Sequence, residues 1–153
     1  MKKLLRTMMV MAVGSILILA ISAVPARAQL STFTAVINSG QEVPANNSRA
    51  RGVAFVTFNA GTGEVCFSIS YTVDSLTSQE TAAHFHFPAP PGMNAGVRIT
   101  LPPGSPKNGC ETPALTEQDI TELFTGLWYI NIHTTVNPGG EIRGQVNPTG
   151  LSY

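Results

Sequence analysis

Glycine and proline punctuate most of this sequence at short intervals, and their spacing limits what the chain can fold into. All but one of the 14 glycines and all but one of the 11 prolines lie after residue 28, mostly between short runs of β-branched and aromatic residues. Such punctuation interrupts long helices, whereas strands of four to eight residues fit between the turns. The pattern therefore predicts an all-β fold, a Greek-key-like antiparallel β-sandwich.

Seven segments have the composition and alternation of short strands. They are Thr32–Ile37, Gly52–Phe58, Glu64–Tyr71, Ala82–Phe87, Gly96–Leu101, Leu127–Thr134 and Glu141–Val146. One short helix is predicted after Thr116, because this residue is a good N-cap, Asp119 follows three residues later and Gly126 can end the helix. The intervening segment Leu101–Pro113 is rich in proline and glycine and is predicted to be a loop.

The first 28 residues have the composition of an export signal. A basic start, formed by Lys2, Lys3 and Arg6, leads into an apolar stretch that ends before Ala26-Arg27-Ala28, where small residues two apart form a cleavage site. We expect residues 1–28 to be a signal peptide and residues 29–153 to be a single secreted or periplasmic domain. An uncleaved N-terminal anchor is the alternative. No other apolar run is long enough to span a membrane, so no transmembrane segment is expected after cleavage.

The formal net charge of zero describes the whole chain and not this domain. Nine basic and nine acidic residues balance, but four of the basic residues lie in the first 28. Residues 29–153 carry five basic and nine acidic residues, a net charge of −4. Without a surplus of positive charge to neutralise phosphates, a nucleic-acid partner is not expected.

Both cysteines of the chain, Cys66 and Cys110, fall in the exported part. Disulfides form and persist in oxidising compartments, so an even pair there predicts a Cys66–Cys110 disulfide. The alternative is a cysteine nucleophile paired with a histidine, and export disfavours it because it oxidises the thiol.

The three histidines are the best candidates for chemistry. His84 and His86 alternate with phenylalanines, so on a strand both imidazoles project from the side opposite the phenyl rings, about 6–7 Å apart at the backbone. A third histidine from a neighbouring strand, His133, would complete a three-nitrogen site for copper or zinc. Because a bound metal needs neutral imidazoles, its affinity should fall as the pH drops through about 6.5. The alternative is that the histidines are solvated and bind nothing.

The strand that carries His133 and the strand that follows it are predicted to form a hairpin. If their apolar faces meet in register, Glu141 lies near His133 and Arg143 lies near Asn131. Glu141 could then orient the His133 ring from outside the coordination sphere.

An ordered set of motifs over roughly residues 32–147 resembles the CHRD (chordin-type) domain. The matching pieces are Phe33-Thr34-Ala35, Gln41-Glu42-Val43-Pro44, Gly63-Glu64-Val65-Cys66, Ala82-Ala83-His84-Phe85-His86, Pro88-Ala89-Pro90-Pro91-Gly92, Gly109-Cys110, the predicted helix within Leu115–Gly126, Tyr129-Ile130-Asn131-Ile132-His133-Thr134 and Asn137-Pro138-Gly139-Gly140-Glu141-Ile142-Arg143-Gly144-Gln145. The resemblance implies an extracytoplasmic β-sandwich module, found alone in bacterial exported proteins, and it places all three histidines and both cysteines inside family motifs.

Three functional hypotheses follow. The first is an exported CHRD domain that binds one copper ion, or alternatively zinc, through His84, His86 and His133. The second is a metal-free module that holds another exported protein or a glycan. The third, a mononuclear copper redox enzyme, has less support, because the chain shows no further catalytic motif.

Overall fold

The computed structural model describes residues 29–150, so the predicted signal peptide lies outside the described residues. Eight strands and one α-helix follow one another in this part of the chain. They are β1 (Leu30–Asn38), β2 (Arg51–Asn59), β3 (Glu64–Tyr71), β4 (Glu80–His86), β5 (Val97–Thr100), β6 (Lys107–Glu111), α1 (Glu117–Phe124), β7 (Trp128–Thr134) and β8 (Ile142–Pro148). No helix within residues 29–150 has the length and apolar character needed to cross a bilayer.

The strands form one antiparallel sheet in the order β5-β4-β7-β8-β1-β2-β3-β6. The sheet curls, and its two halves meet across the core: the rings of Phe67 on β3 and Phe85 on β4 lie 6.1 Å apart although their strands are distant in the strand order. The predicted all-β fold with one short helix is therefore confirmed. Its two layers belong to a single curled sheet joined through the β1–β8 pair.

The core lies between the two halves of the sheet because alternate residues of each strand point inward. Trp128, Ile130 and Ile132 of β7 are completely buried there, and the Trp128 ring stacks on Phe87 with centroids 3.7 Å apart. Helix α1 adds Leu123 to this core. The helix begins with the predicted capping box, because Thr116 and Asp119 each accept a backbone N–H from the other residue.

The outer side of the β4–β7–β8 layer is also buried, under chain segments that cross over it. Asn131 of β7 and Arg143 of β8 are cross-strand neighbours, as the hairpin register predicts, and both are at most 2% exposed. The covering segments are fixed by hydrogen bonds: Arg143 donates to the carbonyl of Met93, and Gln145 donates to the carbonyl of Ala89. Asn131, Arg143 and Gln145 are therefore enclosed and not solvated.

Strand β6 is the one strand within residues 29–150 that the sequence pattern misses, since it lies in the predicted loop Leu101–Pro113. Its sequence Lys-Asn-Gly-Cys-Glu does not alternate apolar and polar residues. Pairing with β3 holds it at the sheet edge, and Lys107 is buried in an ion pair with Glu80 at an N–O distance of 2.5 Å. Tertiary contacts therefore stabilise β6 as a strand although its local composition does not indicate one.

Candidate metal centre

Strands β4 and β7 bring the three histidines together on the outer side of the sheet. Alternation along β4 places Phe85 in the core and turns His84 and His86 outward. β7 is the hydrogen-bonded neighbour of β4, and it sets Asn131 opposite His84, so that His133 lies diagonally across from the same histidine. One nitrogen from each imidazole lies within 4.8 Å of the other two.

The separations between the imidazoles suit a single small ion. The Nδ1 atom of His84 lies 3.2 Å from the Nε2 atom of His133. Tetrahedral coordination with metal–nitrogen distances of about 2.0–2.1 Å would separate two ligand nitrogens by about 3.3–3.4 Å. The ring of His86 completes the triangle, with centroids 5.5 Å from His84 and 5.9 Å from His133.

Two of the three rings are oriented by backbone carbonyls. Nδ1 of His86 lies 3.0 Å from the oxygen of Ala95, and Nδ1 of His133 lies 3.0 Å from the oxygen of Pro138. A carbonyl only accepts hydrogen bonds, so both Nδ1 atoms carry a proton, and in the neutral ring Nε2 then presents a lone pair. Nε2 of His86 is buried and has no hydrogen-bond partner among residues 29–150.

The environment of the histidines favours the neutral form that can bind a metal. Burial lowers the pKa of His86 to about 4, against the opposing effect of its hydrogen bond to Ala95. Burial and the neighbouring His133 also lower the pKa of His84. Protons therefore compete for these two nitrogens at lower pH than they would for a free histidine.

Within residues 29–150 the Glu141 carboxylate forms no hydrogen bond to His133, whose Nδ1 is held by the oxygen of Pro138 instead. The Glu141 carboxylate is fully buried and accepts hydrogen bonds from the hydroxyls of Ser48, Thr77 and Thr134. Burial would raise its pKa, but these donors and the backbone N–H of Thr77 outweigh burial and lower the pKa to about 2. Glu141 thus anchors neighbouring segments, and the carbonyl of Pro138 takes the orienting role.

The model of the CHRD domain family matches residues 33–146. The chain belongs to the CHRD domain family. CHRD domains are extracellular β modules, and the matched range contains all three histidines and both cysteines. No curated protein and no solved structure matches the chain.

In this CHRD domain a group of buried polar residues lies beside the histidines on the outer side of the sheet, and most of its contacts are not evident from the sequence. Nδ2 of Asn131 donates to Oε2 of Glu42 at 3.3 Å, and the guanidinium of Arg143 lies 3.5 Å from the centroid of the Tyr129 ring. The opposite face of that ring stacks on His86. Sequence alternation could have placed Tyr129 and Asn131 beside the site. Glu42 comes from a distant loop and gives no such signal.

Glu42 is the buried carboxyl that contacts Asn131 in this group. It is 5% exposed, and its Oε1 atom has no hydrogen-bond partner among residues 29–150. Burial raises its pKa to about 7, although the charge of Arg143 and the hydrogen bond from Asn131 act in the opposite direction. The carboxyl is therefore partly protonated at neutral pH.

The cysteines lie away from the histidines, on the outer side of the other half of the sheet. Cys66 on β3 and Cys110 on β6 are cross-strand neighbours at disulfide bonding distance, as the sequence predicts. They lie close to Glu64, but sulfurs joined to each other are not available as thiolate ligands. The same bond excludes the alternative of a free cysteine nucleophile.

Proposed function

We propose that this CHRD domain is an exported protein that binds one transition-metal ion, copper in preference to zinc, through His84, His86 and His133. The observation that carries the proposal is the convergence of three imidazole nitrogens, two of them freed for coordination by hydrogen bonds from the opposite ring nitrogen to carbonyls. The expected ligand atoms are Nε2 of His86, Nε2 of His133 and Nδ1 of His84.

Copper is preferred because of the type of ligand. Imidazole nitrogen suits both copper and zinc, and Cu²⁺ binds most nitrogen sites more tightly than the other divalent ions of its row. His84 and His133 are only partly buried. Three protein ligands at a partly open site would leave a coordination position for an external molecule.

Calorimetric titration of residues 29–153 with Cu²⁺ and Zn²⁺ tests the proposal. We expect one equivalent of Cu²⁺ to bind, and we expect His84→Ala, His86→Ala and His133→Ala each to weaken binding at least tenfold, about 1.4 kcal/mol. Glu64→Gln is the matched control, because it changes the other cluster of metal-binding side chains, whose cysteines are paired, and should leave the affinity unchanged. Equal and weak binding by the wild type and His86→Ala would contradict a trihistidine site.

A metal-free module that binds an exported protein or a glycan is the second candidate. It is favoured by exposed apolar side chains on β1 and β2, of which Val36 and Phe55 are 66% and 60% exposed. Elemental analysis of the protein purified without added metal or chelator separates the two candidates. Stoichiometric copper or zinc supports the first. No metal, together with a partner captured by the wild type and lost in Phe55→Ser, supports the second.

A further inference from the structure

Tyr129 lies directly beside one of the three histidines. It is the cross-strand neighbour of His86, and the two rings stack with centroids 4.7 Å apart and planes inclined by 2°. The side chain is 1% exposed and His86 is 5% exposed, so the stack is enclosed. The contact leaves little room for the His86 ring to tilt.

The hydroxyl of Tyr129 contacts the same loop residue that orients His86. It accepts the backbone N–H of Ala95 at 3.1 Å and lies 3.3 Å from the oxygen of Ala95, to which it can donate. That oxygen also accepts the Nδ1 proton of His86. The Ala95 carbonyl is therefore held in place by Tyr129 and in turn orients His86.

Arg143 supports the arrangement from the other face of the tyrosine. Its guanidinium lies 3.5 Å from the centroid of the Tyr129 ring and donates to the carbonyl of Met93 at 2.7 Å and to the side chain of Asn94 at 3.3 Å. Three consecutive loop residues are thus fixed to β7 and β8. His133 is oriented by Pro138, which is exposed, and within residues 29–150 the His84 ring hydrogen-bonds only to His133.

We propose that Tyr129 is a positioning residue for metal binding, and that Arg143 assists it: together they hold the Ala95 carbonyl so that Nε2 of His86 points at the ion. This inference rests on the proposed function. It makes His86 the preorganised ligand of the three. The more exposed His84 and His133 then complete the coordination of the ion. Partners that orient a ligand in this way contribute about 10- to 100-fold to metal affinity.

Tyr129→Phe tests the proposal because it keeps the stacked ring and removes only the hydroxyl. We expect the affinity for Cu²⁺ to fall about tenfold and the Cu²⁺ electron paramagnetic resonance spectrum to change its hyperfine splitting. The matched control is Tyr71→Phe, which removes another buried tyrosine hydroxyl, one bonded to Glu80 and to the carbonyl of Gly104. The control should lower the melting temperature and leave the affinity and the spectrum unchanged.

A readout without metal keeps the test independent of copper binding. Nitrogen-15 spectra of the wild type should show His86 in the single tautomer with the proton on Nδ1, and Tyr129→Phe should show a mixture. If Tyr129→Phe does not fold, the wild-type spectrum decides, since a mixed tautomer of His86 there would overturn the proposal.

The outcomes for the two proposals are distinct. A wild-type protein that binds no copper contradicts the proposed function. A wild-type protein that binds copper, with the same affinity and spectrum in Tyr129→Phe, contradicts the positioning role and leaves the trihistidine site standing.

Discussion

Glu42 and Glu141 are both buried on the outer side of the β4–β7–β8 layer, yet their pKa values move in opposite directions. Glu141 is surrounded by hydroxyl donors that stabilise its charge, and its pKa falls to about 2. Among the described residues, Glu42 accepts one long side-chain hydrogen bond and its Oε1 atom has no hydrogen-bond partner, so burial dominates and its pKa rises to about 7. The number of donors around each carboxyl decides the sign.

This contrast predicts opposite effects of pH on stability. Because the pKa of Glu42 is raised in the folded state, its contribution to stability is fully present below the ordinary value of 4.5 and is lost as the pH rises through about 7. Glu42→Gln removes that loss, so the effect of the substitution on the unfolding free energy should be more favourable at pH 8.5 than at pH 5, by about 2–3 kcal/mol. Thermal unfolding at the two pH values measures the difference.

Glu141→Gln provides the comparison for Glu42→Gln. The pKa of Glu141 is lowered, so its contribution is present above 4.5 and is lost as the pH falls toward about 2. This variant should be destabilising at both pH 5 and pH 8.5. A pH-independent effect of Glu42→Gln would show that its carboxyl is not buried in the protonated form.

Side-chain direction along a strand could be predicted from the sequence, but side-chain partners could not. Alternation placed His84 and His86 on one side because successive residues of a strand point to opposite faces. The pairing of β4 with β7 depends on contacts between residues far apart in the sequence, so local sequence patterns do not reveal it. Proximity to His133 along the hairpin does not decide which of several nearby donors the Glu141 carboxylate reaches, and it accepts hydrogen bonds from the hydroxyls of Ser48, Thr77 and Thr134.

At the scale of elements, the edge strand β6 depends on contacts with the rest of the sheet. It pairs with β3 over five residues and is joined to it by the cysteine pair. Composition marked the segment as a loop, since its alternation is absent and proline and glycine surround it. The predicted disulfide was the one sequence-level indication that the segment must lie against β3.

Removing the disulfide should loosen this edge and leave the histidines in place. The cysteines are separated by 44 residues, so the double variant Cys66→Ser/Cys110→Ser should lose at most about 4 kcal/mol of unfolding free energy. The Cu²⁺ affinity of the folded variant should match the wild type, because the cysteines and the histidines lie on opposite outer sides of the curled sheet. Urea unfolding and titration measure the two quantities. A parallel fall in both would show that β6 supports the metal site.

At the scale of the whole molecule, metal binding should stabilise the fold, because the three ligands converge only in the folded chain. At a free Cu²⁺ concentration of 100 times the dissociation constant, the gain is about 2.7 kcal/mol. For a domain of this size that corresponds to a rise of about 10 °C in melting temperature. Scanning calorimetry with and without Cu²⁺ measures it, and His86→Ala should show little of the rise. An equal rise in both proteins would indicate binding elsewhere.

Strand β4 serves the core and the candidate metal centre at once. Phe85 packs against Phe67 and Trp128 on its inner side, while the histidines before and after it in sequence face the site. A change in the packing of Phe85 would shift the backbone that carries both ligands. The candidate site is therefore not contained in a short motif. Moving His-Phe-His to another sheet would transfer two of the histidines without their spacing to the third, and substitutions in the core at Phe85 could change the metal preference proposed for this domain.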